Sequence, residues 1–248
     1  MEIAHPTIDK NSPIPLYFQL KQLLLAEIEG NALRPGEAIS SENELIEKFQ
    51  LSRTTVRQAI AELVKENKLV TVKGKGTFVA KPKIDLKYMN KIENFDDQVR
   101  SSGLTPSTSV VSFRTVEADE CVAKHLQIPK GERVLDIFRV RYADQEPVVM
   151  VQSYHPCSLC GFLAEHDLEK TSLYKTLALS ENAKVARVKR AIEARVAGEE
   201  ESHYLSIKKG FPVQHFVTVA YNRFDQPVEY CISKYRGDRN TFTVEIFV

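Results

Sequence analysis

The stretch from Ser41 to Lys65 constrains the fold of this chain most strongly, because it predicts two short helices joined by a tight link. Ser41-Glu-Asn-Glu44 has the spacing of a capping box, in which the hydroxyl and the later carboxylate each satisfy a backbone N–H at the start of a helix. That helix ends near Gln50, and Ser52 can cap the next one. The second helix has apolar residues at spacings of three and four: Val56, Ala59, Ile60, Leu63 and Val64. Such a pair predicts a helix-turn-helix, whose second helix lies across a DNA major groove.

The outer face of the second helix is polar and basic. It carries Arg53, Thr54, Arg57 and Gln58 near the helix N-terminus. Backbone N–H groups and the positive end of the helix dipole favour phosphate there, and arginine and amide side chains suit base edges. Taken alone, the same pattern is also typical of a solvated amphipathic helix.

Beyond Asn67 the apolar periodicity changes from helical to alternating, so Leu69–Ala80 predicts a strand, a turn and a second strand. Gly74 and Gly76 supply backbone freedom at the turn, where Lys73 and Lys75 add two positive charges. The loop matches neither G-x-x-x-x-G-K-[ST] nor a G-x-G-x-x-G that opens a helix, so we discount nucleotide binding. A helix-turn-helix followed by this hairpin predicts a winged helix.

Charge is unevenly distributed over this region, although the formal net charge of the whole chain is only +1. Nine basic and two acidic residues lie between Lys48 and Lys83, whereas six glutamates and one arginine lie between Glu27 and Glu47. This polarity is expected of a domain with one side facing phosphates and the other facing away.

The remainder of the chain predicts a second domain, of the α+β class, in which many strands are interrupted by short helices. Val134–Tyr142 and Val148–Tyr154 predict a hairpin. The other predicted elements are strands at Thr108–Val116, Lys184–Val196, Val213–Tyr221, Val228–Tyr235 and Thr241–Val248, and helices at Glu117–Leu126, Ser172–Leu179 and Glu199–Ile207. We therefore predict a flexible leader at 1–12, a winged helix at 13–80, a linker at 81–92 and the second domain at 93–248.

Several motifs of the first domain resemble the DNA-binding domain of GntR-type bacterial transcription regulators. They are Pro15-Leu-Tyr-Phe-Gln-Leu20, Ser41-Glu-Asn-Glu-Leu45, Ser52-Arg-Thr-Thr-Val-Arg-Gln-Ala59 and Gly74-Lys-Gly-Thr-Phe-Val79. The resemblance implies that the third helix reads the operator and that the wing enters the minor groove. The positions it implies for DNA contact are Ser41, Glu42, Ser52, Arg53, Thr54, Thr55, Arg57, Lys73, Gly74 and Lys75. One departure is Ser40, where relatives usually have proline.

The second domain resembles the UTRA ligand-sensing domain of the HutC-type branch, whose fold is similar to that of chorismate lyase. The resemblance rests on Phe138–Val148, Thr171–Tyr174 and, most specifically, Val228–Phe242. It implies an effector site made of Asn94, Phe95, Arg139, Arg141, Gln152, Ser172, Tyr174, Glu229 and Tyr235. Gln152 departs from the glutamate typical of amino-sugar-phosphate sensors, so an amino-sugar phosphate, a neutral hexose phosphate, another small anion and an amide-recognising site all stay open.

Arg139 and Arg141 support an anion site by their spacing alone. Residues two apart in a strand point to the same face, so the two guanidinium groups are expected side by side. Like charges repel unless an anion or nearby acids neutralise them, and a phosphate or carboxylate would accept forked hydrogen bonds from both. An exposed strand face paired to aspartate or glutamate is the alternative.

Parts of the sequence also bear on two other classes of function. Cys157-Ser-Leu-Cys160, near His155 and His166, has the spacing of half a zinc site, which leaves a zinc- or thiol-responsive regulator open. A sugar-phosphate lyase or isomerase is disfavoured because no acid–base or nucleophile–base constellation is apparent. We predict a regulator and not an enzyme, with no cofactor and no resident metal.

The chain also lacks the marks of a membrane or secreted protein. No apolar run reaches the roughly 18 residues that a membrane helix needs, and the N-terminus lacks the regions of a signal peptide. Four cysteines in 248 residues fit free thiols in a reducing compartment. The prediction is a cytoplasmic, homodimeric, effector-responsive repressor that binds a palindromic double-stranded operator and a small anion such as a phosphorylated sugar.

Overall fold

The computed structural model describes residues 8–81, 83–86 and 95–244. The chain divides into two compact units, Met1–Pro82 and Lys83–Val248. Eight α-helices lie in the described ranges: α1 Leu16–Glu29, α2 Glu42–Phe49, α3 Arg53–Lys65, α4 Phe95–Ser101, α5 Glu120–Leu126, α6 Cys157–Cys160, α7 Leu173–Leu177 and α8 Glu199–Tyr204. A 3-10 helix, Gly161–Glu165, follows α6 directly. None of the described helices is both long and apolar enough to cross a membrane.

Ten strands lie in the same described ranges and form three sheets. They are β1 Leu69–Val72, β2 Gly76–Val79, β3 Ile84–Leu86, β4 Pro106–Glu117, β5 Arg133–Ala143, β6 Glu146–Pro156, β7 Arg187–Val196, β8 Pro212–Tyr221, β9 Pro227–Arg236 and β10 Asn240–Phe242. The main sheet has the order β4-β5-β6-β9-β8-β7, and every neighbouring pair in it is antiparallel. β1 and β2 form an antiparallel hairpin, and β3 pairs in parallel with β10.

In the first unit, α1 to α3 and the hairpin of β1 and β2 enclose one apolar core. Leu20 of α1, Leu45 of α2 and Val56 and Leu63 of α3 are buried in it, and Leu69 and Val79 close it from the hairpin. The predicted capping box is present, since Glu44 N–H bonds to Ser41 Oγ and the Glu44 carboxylate accepts the Ser41 N–H. The prediction of a winged helix-turn-helix is confirmed.

In the second unit, the six-stranded sheet has helices on both faces. Leu163 after α6 and Leu173 and Leu177 of α7 pack on one face, while Val122 and Leu126 of α5 pack on the other. Leu205, next to α8, adds to the second face at its other end. An antiparallel sheet with short helices agrees with the predicted α+β class, which is confirmed.

Several element boundaries differ from those predicted. The last predicted strand, Thr241–Val248, is wrong at 243–244, because the strand ends at Phe242, where its partner β3 ends at Leu86; residues 245–248 lie outside the described ranges. Glu117 belongs to β4, because Asp119 caps α5 by accepting the Val122 N–H, so that helix begins at Glu120. Helices α4 and α6 were not predicted. The division into a leader at 1–12 and a linker at 81–92 stays a prediction, although Ile84–Leu86 within that linker forms β3.

Candidate DNA-reading surface and effector pocket

The outer face of α3 is exposed and begins at a tight capped turn. Gln50 adopts a left-handed conformation that ends α2, and Ser52 Oγ accepts the Thr55 N–H at 3.1 Å to start α3. Arg53 reaches back to Asn43 Oδ1 at 3.2 Å, and the Arg57 side chain is 69% exposed with Glu42 at 3.8 Å. An ion pair this long and exposed contributes little, so the Arg57 guanidinium can exchange its partner for a phosphate or a base edge.

The wing is short and its tip is cationic. Gly74 has φ +78° and Gly76 has φ +121°, a region that residues with a Cβ rarely adopt, so these two glycines permit the tight reversal between β1 and β2. Lys73 and Lys75 are exposed on either side of Gly74. A narrow hairpin with two lysines at its tip has the size and charge to contact a groove and its phosphates.

The structure brings all ten predicted DNA-contact residues to the helix-turn-helix or the wing. Nine of them are exposed, and Thr55 is half-buried with its hydroxyl 2.8 Å from that of Ser52. Asn43, which holds Arg53, was not among the predicted contacts. Its position in the middle of the capping box is the signal that could have pointed to it.

A pocket of about 80 Å³ lies on one face of the main sheet in the second unit. Its floor is formed by alternate residues of β5, β6, β9, β8 and β7, and its rim by α7 and the start of α4. The residues that line it are Phe95, Arg139, Arg141, Val151, Ser172, Leu173, Tyr174, Arg190, Phe216, Thr218, Glu229, Cys231, Ser233 and Tyr235. A concave site with aromatic walls and a few converging polar groups is typical of a small-ligand site.

Arg139 supplies a buried positive charge to the pocket floor. Its side chain is only 4% exposed, and among the described residues it has no ion pair and its Nε has no hydrogen-bond partner. Burial, and next the nearby Arg141 charge, lower the pKa of Arg139 to about 10, so it is still protonated at neutral pH. A buried cation without an ion pair is costly, and an anionic ligand would remove that cost.

Arg141 is the second guanidinium of the pocket and is already held in place. Its Nη2 donates to Asp96 at 2.8 Å, its Nε donates to Thr108 at 3.3 Å, and its Cζ lies 4.1 Å from the centre of the Phe95 ring. Ser172 lies at the N-cap of α7, and its hydroxyl makes no capping hydrogen bond. These two side chains therefore add a fixed cation and an available hydroxyl beside Arg139.

Glu229 and Tyr174 give the other part of the pocket its polar character. Tyr174 donates its hydroxyl to Glu229 at 2.7 Å, and burial, then the Glu229 charge, raise the pKa of that phenol well above 10. Behind Glu229 lies His155, which is fully buried, with Nε2 at 4.0 Å from the carboxylate. His155 Nδ1 lies 2.9 Å from the Val228 carbonyl. A carbonyl can only accept, so Nδ1 carries the proton, and in the neutral ring Nε2 does not.

The buried His155 predicts a pH dependence of stability. Burial is the main cause that lowers its pKa below the ordinary 6.5, against the opposing charge of Glu229. Below pH 6.5, His155 binds a proton in the unfolded chain but stays neutral in the folded chain until the pH falls to its lowered pKa. The free energy of unfolding should therefore fall as the pH drops through this window, by at most about 1.4 kcal/mol per pH unit for this group. Thermal unfolding from pH 7.5 to 5 should show that slope, and His155→Gln should reduce it; an equal slope in the variant contradicts the assignment.

Two predicted effector residues are not part of the pocket as described. Gln152 does not line this pocket, because its neighbour Val151 faces the pocket and successive strand residues alternate. Its amide instead donates to Asp136 on the opposite face, and Arg114 holds the same carboxylate at 2.7 Å. Asn94 lies outside the described residues. The other seven predicted residues line the pocket together.

Sequence reasoning missed part of the pocket. Arg190, Thr218 and Cys231 lie in one row across β7, β8 and β9, as the pairs Arg190↔Thr218 and Thr218↔Cys231 show. Ser233 lines the same floor two residues beyond Cys231. The alternation of Thr218, Cys231 and Ser233 with apolar residues is visible in the sequence, but only the strand order places β7, and with it Arg190, beside the site.

The two cysteines of the Cys157–Cys160 pair do not form a metal site in the described residues. No group of three or more histidine, cysteine, aspartate or glutamate side chains there is placed to hold a metal. Cys160 is buried, and burial raises the pKa of its thiol to about 12. A thiol that stays protonated at neutral pH is a poor metal ligand and a slow nucleophile. The zinc- or thiol-responsive alternative is not supported.

Comparison with known proteins matches both units. The family described as "Bacterial regulatory proteins, gntR family" matches residues 16–79, and the UTRA domain matches residues 101–241. The HTH-type transcriptional repressor NagR of Bacillus subtilis (strain 168) is 34% identical over 235 residues, covering 95% of this chain and 96% of that protein. The mannosyl-D-glycerate transport/metabolism system repressor MngR of Escherichia coli (strain K12) is 28% identical, covering 93% and 95%. The crystal structure of PhnF from Mycobacterium smegmatis superposes with a TM-score of 0.68 at 27% identity, covering 93% and 98%.

An exposed basic reading helix with a cationic wing, followed by a domain with a cationic ligand pocket, defines a ligand-responsive DNA-binding transcription regulator. The chain belongs to the GntR family of bacterial regulatory proteins, in the branch that carries a UTRA domain. Its partners are operator DNA and a small-molecule effector. It is a regulator and not an enzyme, as predicted.

Proposed function

We propose that this regulator represses a carbohydrate uptake or catabolism operon and that a small phosphorylated sugar, or a related anion, changes its affinity for the operator. In this proposal residues 13–80 read the DNA and residues 93–248 bind the effector and form a homodimer. Arg139, Arg141 and Ser172 bind the anionic group, while Glu229, Tyr174 and Tyr235 contact the polar body of the ligand.

The observation that carries this proposal is the burial of the Arg139 charge without an ion pair among the described residues. A guanidinium that is 4% exposed and has no ion pair among the described residues is stabilised most by an incoming anion. Phosphate suits the arrangement because its oxygens can accept forked hydrogen bonds from Arg139 and Arg141 together. Arg139, Arg141 and Arg190 line the pocket, and Glu229 is the only carboxylate in the same lining, so the lining carries a net positive charge even with Arg141 bonded to Asp96.

The polar end of the pocket is compatible with an amino sugar. Glu229 is buried there, and its carboxylate can pair with a ligand amine or accept from ligand hydroxyls. The glutamine at 152 no longer argues against an amine, because that side chain faces away from the pocket. MngR, named for a mannosyl-D-glycerate system, supports a carbohydrate-derived effector with an acidic group.

The geometry of the reading helix indicates the symmetry of the operator. One helix-turn-helix covers only a half-site, and a twofold dimer presents two such helices about 34 Å apart, or one turn of DNA. The proposed operator is therefore a palindrome, read by a homodimer in the cytoplasm where the DNA lies.

Thermal unfolding with a panel of small molecules tests the effector class. The panel is glucosamine 6-phosphate, N-acetylglucosamine 6-phosphate, glucose 6-phosphate, glucose and inorganic phosphate. At least one sugar phosphate should raise the unfolding temperature, because a ligand at 100 times its Kd stabilises the native state by about 2.7 kcal/mol. The same ligand should shift operator binding in a mobility-shift assay, whereas glucose should do neither. If no phosphorylated sugar acts, the effector class is wrong while the DNA-binding assignment stands.

A further inference from the structure

Arg190 adds a guanidinium to the effector pocket at a distance from the pair on β5. Arg139 and Arg141 lie on β5, whereas Arg190 lies on β7, at the other end of the strand order β5-β6-β9-β8-β7 that forms the floor. Four interstrand steps of about 4.8 Å separate the backbones of β5 and β7, which is roughly 19 Å across the sheet. A phosphate held by Arg139 and Arg141 therefore leaves Arg190 at the opposite end of the ligand.

The Arg190 side chain extends over the pocket floor. It is half-buried, although its two neighbours along the strand are exposed. Burial raises the pKa of three pocket groups, the Tyr174 and Tyr235 phenols and the Cys231 thiol. The positive charge of Arg190 counteracts that rise at all three. Its guanidinium therefore lies close enough to the ligand space to act on the groups that line it.

Thr218 places a hydroxyl beside Arg190. The two residues pair across β7 and β8, and both line the pocket. Thr218 is 4% exposed, and its hydroxyl makes no hydrogen bond within the described part of the chain. A buried hydroxyl without a partner is costly, and an acceptor on a ligand would remove that cost.

A carboxylate is the ligand group that suits Arg190 and Thr218 together. Its two oxygens accept parallel hydrogen bonds from a guanidinium, and they have further capacity for a hydroxyl donor. A sugar hydroxyl would satisfy Thr218 but would give Arg190 only a neutral partner, which makes a weaker hydrogen bond. One guanidinium and one hydroxyl are fewer donors than Arg139, Arg141 and Ser172 supply at the other end, so they suit a singly charged group better than a second phosphate.

We propose that Arg190 and Thr218 form a second anion subsite of the pocket, and that the effector carries a carboxylate at the end remote from its phosphate. This inference rests on the proposed function, because it takes the phosphate to be bound by Arg139 and Arg141. It narrows the effector to a phosphorylated sugar that is also an acid. Glu229 lies on β9, the middle strand of the floor, where it can accept hydrogen bonds from the hydroxyl groups between the two anionic ends.

Two matched pairs of small molecules test the subsite by calorimetric titration of the full chain. The first pair is 6-phosphogluconate and glucitol 6-phosphate, and the second is glucuronate 1-phosphate and glucose 1-phosphate. Within each pair, a carboxylate replaces a hydroxymethyl group at the end remote from the phosphate. In at least one pair the carboxylate member should bind about tenfold more tightly or better, the size expected for one hydrogen-bonded pair of charges.

Substitutions on β7 and β8 identify the residues responsible for that preference. Arg190→Gln removes the charge, so the ratio of the two Kd values within the pair should fall towards one. Arg190→Lys keeps the charge but not the fork, so part of the preference should remain. Thr218→Val keeps the shape without the hydroxyl and should lower the ratio by a smaller factor. Lys189→Gln is the matched control, because Lys189 is exposed on the opposite face of β7, and its ratio should equal that of the native chain.

The outcomes separate the subsite from the proposed function. Equal binding of both members of each pair by the native chain overturns the subsite and leaves the sugar-phosphate proposal intact. An unchanged ratio in Arg190→Gln, or an equal loss in Lys189→Gln, overturns it as well. So does a failure of both carboxylates to bind while a phosphorylated sugar of the thermal panel binds. If no phosphorylated sugar of either set binds, the proposed effector class and the subsite are both wrong.

Discussion

Replacing Arg139 by alanine is expected to abolish the response to the effector while operator binding stays intact. Arg139 is buried, lines the pocket and has no ion pair among the described residues, and the Glu229 charge favours its protonated form only from a distance, so a bound anion would supply the partner it lacks. Truncating one partner of a buried charge pair costs about 2–5 kcal/mol, which is roughly a 30-fold to several-thousand-fold loss of affinity. Calorimetric titration with the sugar phosphate that is active in the thermal panel measures this loss.

Two further variants at Arg139 identify the physical cause. Arg139→Lys keeps the charge but loses the fork, so binding should weaken without disappearing. Arg139→Met fills the space without a charge, so the ligand-free protein should unfold at a higher temperature, because a buried charge is no longer held away from water. Arg114→Ala is the matched control, an arginine of the same sheet on the opposite face. Retained effector binding by Arg139→Met would refute the anion site.

Replacing Arg57 by alanine is expected to weaken operator binding and leave the effector response unchanged. The Arg57 side chain is 69% exposed on α3, and its 3.8 Å contact with Glu42 contributes little to stability. If Arg57 reads a base edge, its loss costs about 1–3 kcal/mol of operator affinity and relaxes the preference for one base pair. Fluorescence anisotropy with operator and scrambled duplexes at fixed salt measures both effects.

Lys73 in the wing provides a useful contrast, since a phosphate contact carries no sequence information. Lys73→Ala should weaken binding to both duplexes alike and reduce the slope of affinity against salt by about one. Arg34→Ala is the matched control, an exposed arginine of the same unit outside α3 and the wing. If Arg34→Ala weakens binding as much as Arg57→Ala does, general charge rather than a reading helix explains the affinity.

The first domain could be predicted almost completely because its signals are local. A capping box spans four residues, and the Ser52 cap and the apolar positions of α3 follow within one helix. The glycines of the wing predict a tight turn, because they readily adopt the positive φ angles that such a turn requires. Helices close their hydrogen bonds within a few residues, so neighbouring sequence is sufficient to define them.

The effector pocket shows where local signals end. The spacing of Arg139 and Arg141 predicted that they share a face, and both line the pocket. Spacing alone could not place Gln152, because the face on which it lies depends on the register of β6 against β5. In that register Phe138 pairs with Gln152, and Arg139 pairs with Val151. A shift of one residue in register would exchange the two faces, and nothing within a single strand states the register.

The sequence by itself determined the winged helix, the α+β class of the second domain and the pair of arginines, because caps, periodicity and spacing act between residues close in the chain. The tertiary structure alone decided that Arg139 is buried without an ion pair among the described residues, that Glu229 lines the pocket whereas Gln152 does not, and that β7 with Arg190 forms a wall of the pocket and an edge of the sheet. These facts depend on strand order and register, which bring together residues far apart in the chain.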